Sequence, residues 1–350
     1  MTIEKQEKES VLMLFVLYAT FVKRDVAILE KNYNVDLYQF NTSKKIYLFY
    51  AFIKQFFFLL FNLHKYKAIV IQSSGYLSFL PVIFGKLVKK PIIIIAIGTD
   101  CAKLPEINYG AHTKKLLSWF TNFSFKNTSL ILPVHKSLEK SFYNYLDVKF
   151  PNQGIRSFNK TIKTPIVEMV NGYDTNKWQN KNLNRVKNSF LSVTFAIDEI
   201  GHYRKGIDLI VKAAELFPEY YFTIVGKVYL KADCPKNLHL IDNVKQEELL
   251  EIYNKHQYYF QLSMFEGFPN ALCEAMLCGC IPIGSNVAGI PDIIGNNGYI
   301  LKQKSNDLLK ALIENLPNNK LTPSDVRTQI TDNFPLKRRE NEFLGHLKNF

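Results

Sequence analysis

Short apolar runs alternate with amphipathic stretches along the chain. "VLMLFVLY" (Val11 to Tyr18) comes first and a helical pattern from about Lys23 to Lys31 follows. "AIVIQ" (Ala68 to Gln72), "PIIIIAIG" (Pro91 to Gly98) and "SLILPV" (Ser129 to Val134) come next. Runs apolar on both faces, spaced by helices, predict a parallel sheet covered on both sides. The pattern then restarts. "FLSVTFAI" (Phe190 to Ile197) reads as a strand, "GIDLIVKAAELF" (Gly206 to Phe217) as a helix, and "YYFTIVG" (Tyr220 to Gly226) as a strand. "NLHLID", "YYFQLS" and "IPIGS" (Ile281 to Ser285) extend the second unit.

Residues 171–188, "NGYDTNKWQNKNLNRVKN", are polar and lack apolar periodicity. They mark a linker. The expected division is a first Rossmann-like domain over 1–172 and a linker over 173–188. A second such domain over 189–330 and a basic helix over 331–350 complete it. Two doubly wound domains face each other across a cleft, and such folds bind ligands at the carboxyl ends of their strands.

Composition narrows the classes. The chain has 350 residues, 47% hydrophobic and 21% charged, so it is expected to fold. The formal charge of +13 suits nucleic acid, an anionic membrane or an anionic small substrate. The lysines are scattered and no nucleic-acid reading module is present, which argues against nucleic acid. Five cysteines complete no zinc pattern and suit small buried residues in a reducing cell. "MTIEKQEKES" has no secretory cleavage pattern. A cytoplasmic location is therefore expected, either free or peripheral on the inner face of the plasma membrane. "IYLFYAFIKQFFFLLFNL" (Ile46 to Leu63) is eighteen residues long with Lys54 near its middle, and a central lysine opposes a membrane span. A core helix fits it. So does a helix that also touches lipid, since Lys44, Lys45, Lys65 and Lys67 flank it.

The candidate chemistry lies in "FEGFPNALCEAM" (Phe265 to Met276), followed by "LCGCIPIGSN". Pro269 suits a helix start and Gly279 its stop, giving a helix over about Pro269 to Cys278. A helix N-terminus seats phosphate or sugar oxygens, and Gly267 lets the loop approach a ligand. Glu266 stands in the loop and Glu274 within the helix. Carboxylates accept well from paired hydroxyls, one from a sugar ring and the other from a ribose. Equally, both could be plain surface charges.

"EGFPNALCEAMLCGCIPIGSNVAGIPDII" resembles the signature of the retaining nucleotide-sugar glycosyltransferases of family four, glycosyl transferases group 1, with the GT-B fold. "VNGYD", "RKGIDLIVKAAELFPEYYFTIVG" and "EELLEIYNKHQYYFQLS" extend the likeness over most of residues 165–310. The resemblance implies that Glu274 binds ribose hydroxyls and Glu266 the donor sugar. The backbone of Gly267, Phe268, Pro269, Asn270 and Ala271 would hold sugar and diphosphate, and Lys205 would neutralise the departing diphosphate. No metal is implied, and the donor is a nucleotide diphosphate sugar. The family also carries a cation five or six places before that lysine. Here those places hold Glu199 and Ile200, so Arg204 is the candidate replacement.

The amino-terminal half departs further. "LYATFVKRD" (Leu17 to Asp25) lacks the expected glycine pair, which leaves Lys23 and Arg24 as acceptor-side candidates. Gly98, Thr99 and Asp100 follow a strand facing the cleft. Asp100 is a candidate catalytic group beside Lys205 and Glu266, or only a turn and helix cap. His135 ends another strand and reads as structural. The expected acceptor is a glycan or a lipid-linked oligosaccharide, in surface polysaccharide assembly. A silent GT-B binding subunit, motivated by the missing cation, and a GT-B epimerase or phosphorylase are the alternatives.

Overall fold

The computed structural model describes residues 8–41, 45–197, 199–228, 234–316 and 320–350. Lys44 lies outside them, and so do the side chains of Lys45 and Glu199. The first domain runs β1 (Ser10–Phe15), α1 (Thr20–Leu29), β2 (Asn34–Gln39), α2 (Lys45–Asn62), β3 (Tyr66–Gln72), α3 (Tyr76–Leu87), β4 (Ile92–Ala96), α4 (Lys115–Asn127) and β5 (Leu130–Pro133). Its strands pair in parallel in the order β2-β1-β3-β4-β5. β1 and β3 to β5 are buried along nearly their whole length, which is why they read as unbroken apolar runs. A short hairpin, β6 (Ser141–Phe142) with β7 (Asn152–Gln153), and the one-turn α5 (Ile155–Phe158) follow.

The second domain holds β8 (Val186–Ile197), α6 (Glu199–Arg204), α7 (Ile207–Leu216), β9 (Tyr221–Val228), β10 (Leu238–Ile241), α8 (Gln246–Lys255) and β11 (His256–Gln261). It continues with α9 (Asn270–Leu277), β12 (Ile281–Ser285), α10 (Ile290–Ile294), β13 (Tyr299–Leu301), α11 (Asn306–Asn315) and α12 (Pro323–Asn333). Its parallel sheet has the order β10-β9-β8-β11-β12-β13. The rings of Phe190, Phe222, Tyr258 and Phe260 stack across its central strands. Cys101, Cys273, Cys278 and Cys280 are buried thiols.

α13 (Leu336–Lys348) returns to the first domain and packs on α1. Arg339 fastens it there. Its Nε and Nη2 donate to the two carboxylate oxygens of Asp25 at 2.7 and 2.8 Å. Its Nη1 donates to the carbonyls of Met169 and Val170, and Gln72 donates to Asp25 at 2.7 Å. Every member is buried.

The linker is less polar in space than in sequence. Tyr173 and Trp178 are buried, and Arg327 of α12 donates to the carbonyls of Thr175 and Trp178. Two isolated aromatics carry no periodicity, so their burial left no pattern to read.

Candidate active site

The two domains meet over the start of α9. Gly98 and Gly267 bring their backbones together. A Cβ on Gly267 would stand 2.2 Å from the Ile97 carbonyl oxygen, so only glycine fits there. The cleft beside this contact holds a cavity of about 250 Å³. Thr99, Tyr109 and Gln72 line it from the first domain, and Glu266, Gly267 and Asn270 from the second.

Lys205 and Glu266 lie 61 residues apart and form an ion pair at this cavity. The main chain sets it. The Met264 amide donates to the Arg204 carbonyl, which ties the turn after α6 to the loop after β11. Helix α9 starts at Asn270, and Pro269 occupies the position before it with extended ψ. This is one residue later than the expected start and leaves the first-turn N–H groups facing the cleft. Asn270 accepts from the Tyr173 hydroxyl at 2.8 Å. Phe268 is buried against Tyr173 and Phe334, so what that residue offers the cleft is backbone. Ala271 lines a neighbouring cavity of about 420 Å³ with Val193, Val225, Val244 and Glu274.

Burial raises the Glu274 carboxyl to about 7, against the opposing pull of Arg24 and Lys177. The ionised form is the better acceptor for paired hydroxyls. With Glu274 on the ribose hydroxyls, as the family likeness implies, nucleotide affinity should rise as pH climbs through about 7 and level off above it. Stability runs the other way. The folded carboxyl titrates above its ordinary 4.5, so its contribution is complete below 4.5 and is lost as pH rises through about 7. Glu274→Gln should cost about 1.5–3 kcal/mol in nucleotide binding, the scale of hydrogen bonds to a charged group. It should match or exceed the wild-type melting temperature at pH 8. Titration calorimetry and thermal melts check both, and a mutant that melts early at pH 8 refutes the assignment.

The first-domain candidates separate. Arg24 lies toward the start of α9 and Glu274. Its Nη1 is 3.5 Å from Asn270 Oδ1, its guanidinium sits over the Tyr173 ring, and Glu274 is within electrostatic reach. Its Nε and Nη2 are shut off from solvent without a partner. Lys23 is exposed over the Tyr18 ring. Thr99 bonds the Tyr109 hydroxyl at 2.9 Å. Asp100 is buried, and its carboxylate accepts from the amides of Ser74, Ile97 and Gly98. It holds the loop, the turn-capping alternative of the two expected for it. Burial also raises its pKa.

Arg204 crosses to the first domain and covers the ring of Tyr109 at 5.2 Å, a ring that itself lines the cavity. His135 accepts from Ser137 and bonds Asp292 of α10 at 3.2 Å, a clip between the domains. Tyr109, Gln72 and Arg339 line the cavity without having been singled out. Tyr109 stands nine residues after Asp100, while Gln72 ends a strand like any other polar residue.

Residues 187–333 match the model of the family glycosyl transferases group 1. Over 116 residues the chain is 32% identical to N-acetyl-alpha-D-glucosaminyl L-malate synthase of Bacillus anthracis, covering 29% of this chain and 30% of that relative's length. The structure is similar to sucrose-phosphate synthase from Thermosynechococcus elongatus, with a TM-score of 0.74, 12% identity and 98% of both chains covered. It is also similar to Anabaena HepE in complex with UDP and glucose, with a TM-score of 0.68, 12% identity, 98% of this chain and 100% of that one. The two parallel-sheet domains and the likeness over nearly the whole length of these structures give the chain the GT-B fold, and it is the second domain, residues 187–333, that matches the glycosyl transferases group 1.

Proposed function

We propose that the chain transfers a sugar from a nucleoside diphosphate to a hydroxyl acceptor, with retention at the anomeric carbon. The observation that carries this is the Lys205–Glu266 pair, set against the N-terminus of α9 and one helix turn from Glu274. The nucleoside occupies the cavity lined by Val193, Val225 and Val244, with its ribose hydroxyls on Glu274. The diphosphate lies on the N–H groups that open α9, with Lys205 on one side and Arg24 on the other. Arg24 supplies the second positive group that Glu199 and Ile200 do not. Glu266 and the Gly267 to Asn270 backbone orient the sugar in the adjacent cavity.

The acceptor oxygen bonds to the anomeric carbon on the face the diphosphate leaves. The carbon–oxygen bond to phosphate breaks, its electron pair goes to the phosphate, and the hydroxyl proton passes to a phosphate oxygen. Lys205, Arg24 and the α9 amides are aimed where negative charge grows, the arrangement that lowers such barriers most. This reading calls on no metal. UDP bound to HepE favours uridine as the base.

A thermal-shift panel of UDP-, GDP- and ADP-sugars tests the reading, because a ligand of the folded state raises the melting temperature by mass action. One series is expected to shift the melt and to be hydrolysed slowly in the presence of chelator. A shift with no hydrolysis or transfer would favour a silent binding subunit instead.

A further inference from the structure

The helices on the two faces of the first sheet differ sharply. The β1–β2 connection moves one way across the sheet, while the connections carrying α2, α3 and α4 all move the other way. With right-handed crossovers, α2, α3 and α4 therefore share one face, opposite α1 and α13. Adjacent members of the trio touch, α2 with α3 and α3 with α4. Their inner sides are ordinary core. Ala51, Leu59 and Leu63 are buried, and Gln55 donates to the Leu77 carbonyl at 2.9 Å. That packing makes α2 a layer of the domain and not a membrane span, although Tyr47–Lys65 is long and apolar enough to cross one.

The outer side is not an ordinary surface. Phe49, Tyr50 and Phe61 of α2 are each at least 65% exposed, Leu87 of α3 is 75% exposed, and Trp119 of α4 is 54% exposed. Rings tie the layer together: Phe79 of α3 packs on Phe120 and Trp119 of α4, and Phe52 of α2 meets Phe79 edge-on. A shallow hollow of about 260 Å³ between α2 and α3 is lined only by Phe52, Ile53, Phe56, Phe57 and Leu80. Monomeric proteins seldom leave so large a continuous apolar face to water.

Charge identifies the occupant. The helices α2, α3 and α4 contain no aspartate or glutamate. Between Leu37 and Thr99 the sequence holds eight lysines and no acidic residue. Lys54, Lys86, Lys89 and Lys115 are exposed on or next to these helices. Lys67 is different, because it pairs with Glu9 at 2.7 Å, and Lys65 donates to Asn62. Lys67 is therefore engaged by a carboxylate, while Lys65, like Lys86 on Asn127 at 2.9 Å, makes only an exposed bond to a neutral side chain that a lipid phosphate can replace. A second copy of the chain is a poor occupant. A two-fold interface would press this patch against itself, lysines facing lysines with no carboxylate between them.

We propose that the outer face of α2, α3 and α4 docks on an anionic lipid bilayer. The aromatics enter the boundary between headgroups and acyl chains, acyl methylenes fill the hollow between α2 and α3, and the lysines meet lipid phosphates. This goes beyond the donor reading and does not rest on it, since no residue of this face lines the cleft.

The chain has two tryptophans, and they make the test local. Trp119 stands on the face, while Trp178 is buried in the linker. The probes are vesicles of phosphatidylcholine alone and of phosphatidylcholine with phosphatidylglycerol, with and without brominated acyl chains. The protein should float with the anionic vesicles, come off as salt rises, and lose part of its tryptophan emission to bromine. Trp119→Phe should abolish that quenching while leaving flotation in place. Each lysine near the surface contributes about a fivefold factor in partitioning, so Lys54, Lys86, Lys89 and Lys115 all changed to Gln should release the protein. A second variant, Phe49→Ser with Phe61→Ser, should do the same with the charge unchanged. Both should hydrolyse donor as the wild type does, which keeps a failed fold distinguishable from a failed dock. Equal flotation on neutral vesicles, binding without quenching of Trp119, or a dimer that covers the face in solution would each overturn the proposal.

Discussion

Lys205→Ala is expected to lower turnover about 10²–10³-fold, the scale of one lost contact to charge that develops in the transition state. Lys205 is the cation beside Glu266 at the mouth of α9, on a turn held by the Met264 amide. Removing it strips positive charge from the place where the leaving diphosphate gains negative charge. The affinity for bare nucleoside diphosphate should fall less than the turnover, because the ground-state phosphate already carries most of its charge and keeps the α9 amides. Arg204→Ala is the matched control. Its guanidinium lies on Tyr109, so it loses only a ring contact and should cost under about tenfold. Single-turnover rates at saturating donor separate the two. A wild-type rate in Lys205→Ala would remove the leaving-group role, and equal damage from Arg204→Ala would mean that Arg204 reaches the phosphate as well.

Arg339→Met should destabilise the protein by about 3–5 kcal/mol, the cost of stranding one partner of a buried ion pair. Asp25 would stay buried, with Gln72 as its one remaining side-chain donor, and the carbonyls of Met169 and Val170 would lose theirs. Because Arg339 joins α13 to α1 across 314 residues of sequence, the loss should appear as release of the carboxy-terminal helix before the sheets unfold. Denaturant melts should show an early phase, and hydrogen exchange should be fastest in α13. Asp25→Asn with Arg339→Met should recover part of the loss, since no charge is then left unpaired. A single cooperative melt at the wild-type midpoint for Arg339→Met would show that the clip contributes little.

The alternation of apolar runs carried both sheets because nearly every central strand is buried on two faces, and a short unbroken apolar run between helices fits little else. β2 escaped it. Its sequence NVDLYQ alternates, and most of its residues are exposed at the sheet edge. The second-domain side of the cleft was legible for a different reason. Glu266, Gly267, Pro269 and Glu274 lie within nine consecutive residues, so local chemistry and the family likeness both fall on one stretch. Arg24 and Arg339 were not legible as partners of that stretch. Each reaches the cleft region from a distant part of the chain, and an isolated arginine on an amphipathic helix looks the same whether it meets solvent or a buried carboxylate. Asp100 shows the converse. Its position after a strand invited a chemical role, while three loop amides had already claimed its oxygens.

Under the proposed function, the Lys205–Glu266 pair makes the site an ion exchanger. A diphosphate is itself an anion, so it gains Lys205 only by displacing the carboxylate already there. The swap replaces one counter-ion with another, and the dependence of donor affinity on salt should be shallower than the number of cations near α9 suggests. It also releases Glu266 for the sugar hydroxyls only when a phosphate has arrived to take its place. After transfer the same carboxylate is an internal competitor, returning to the lysine as the spent nucleotide loosens and giving the product a way out that does not depend on water alone to re-solvate the charge.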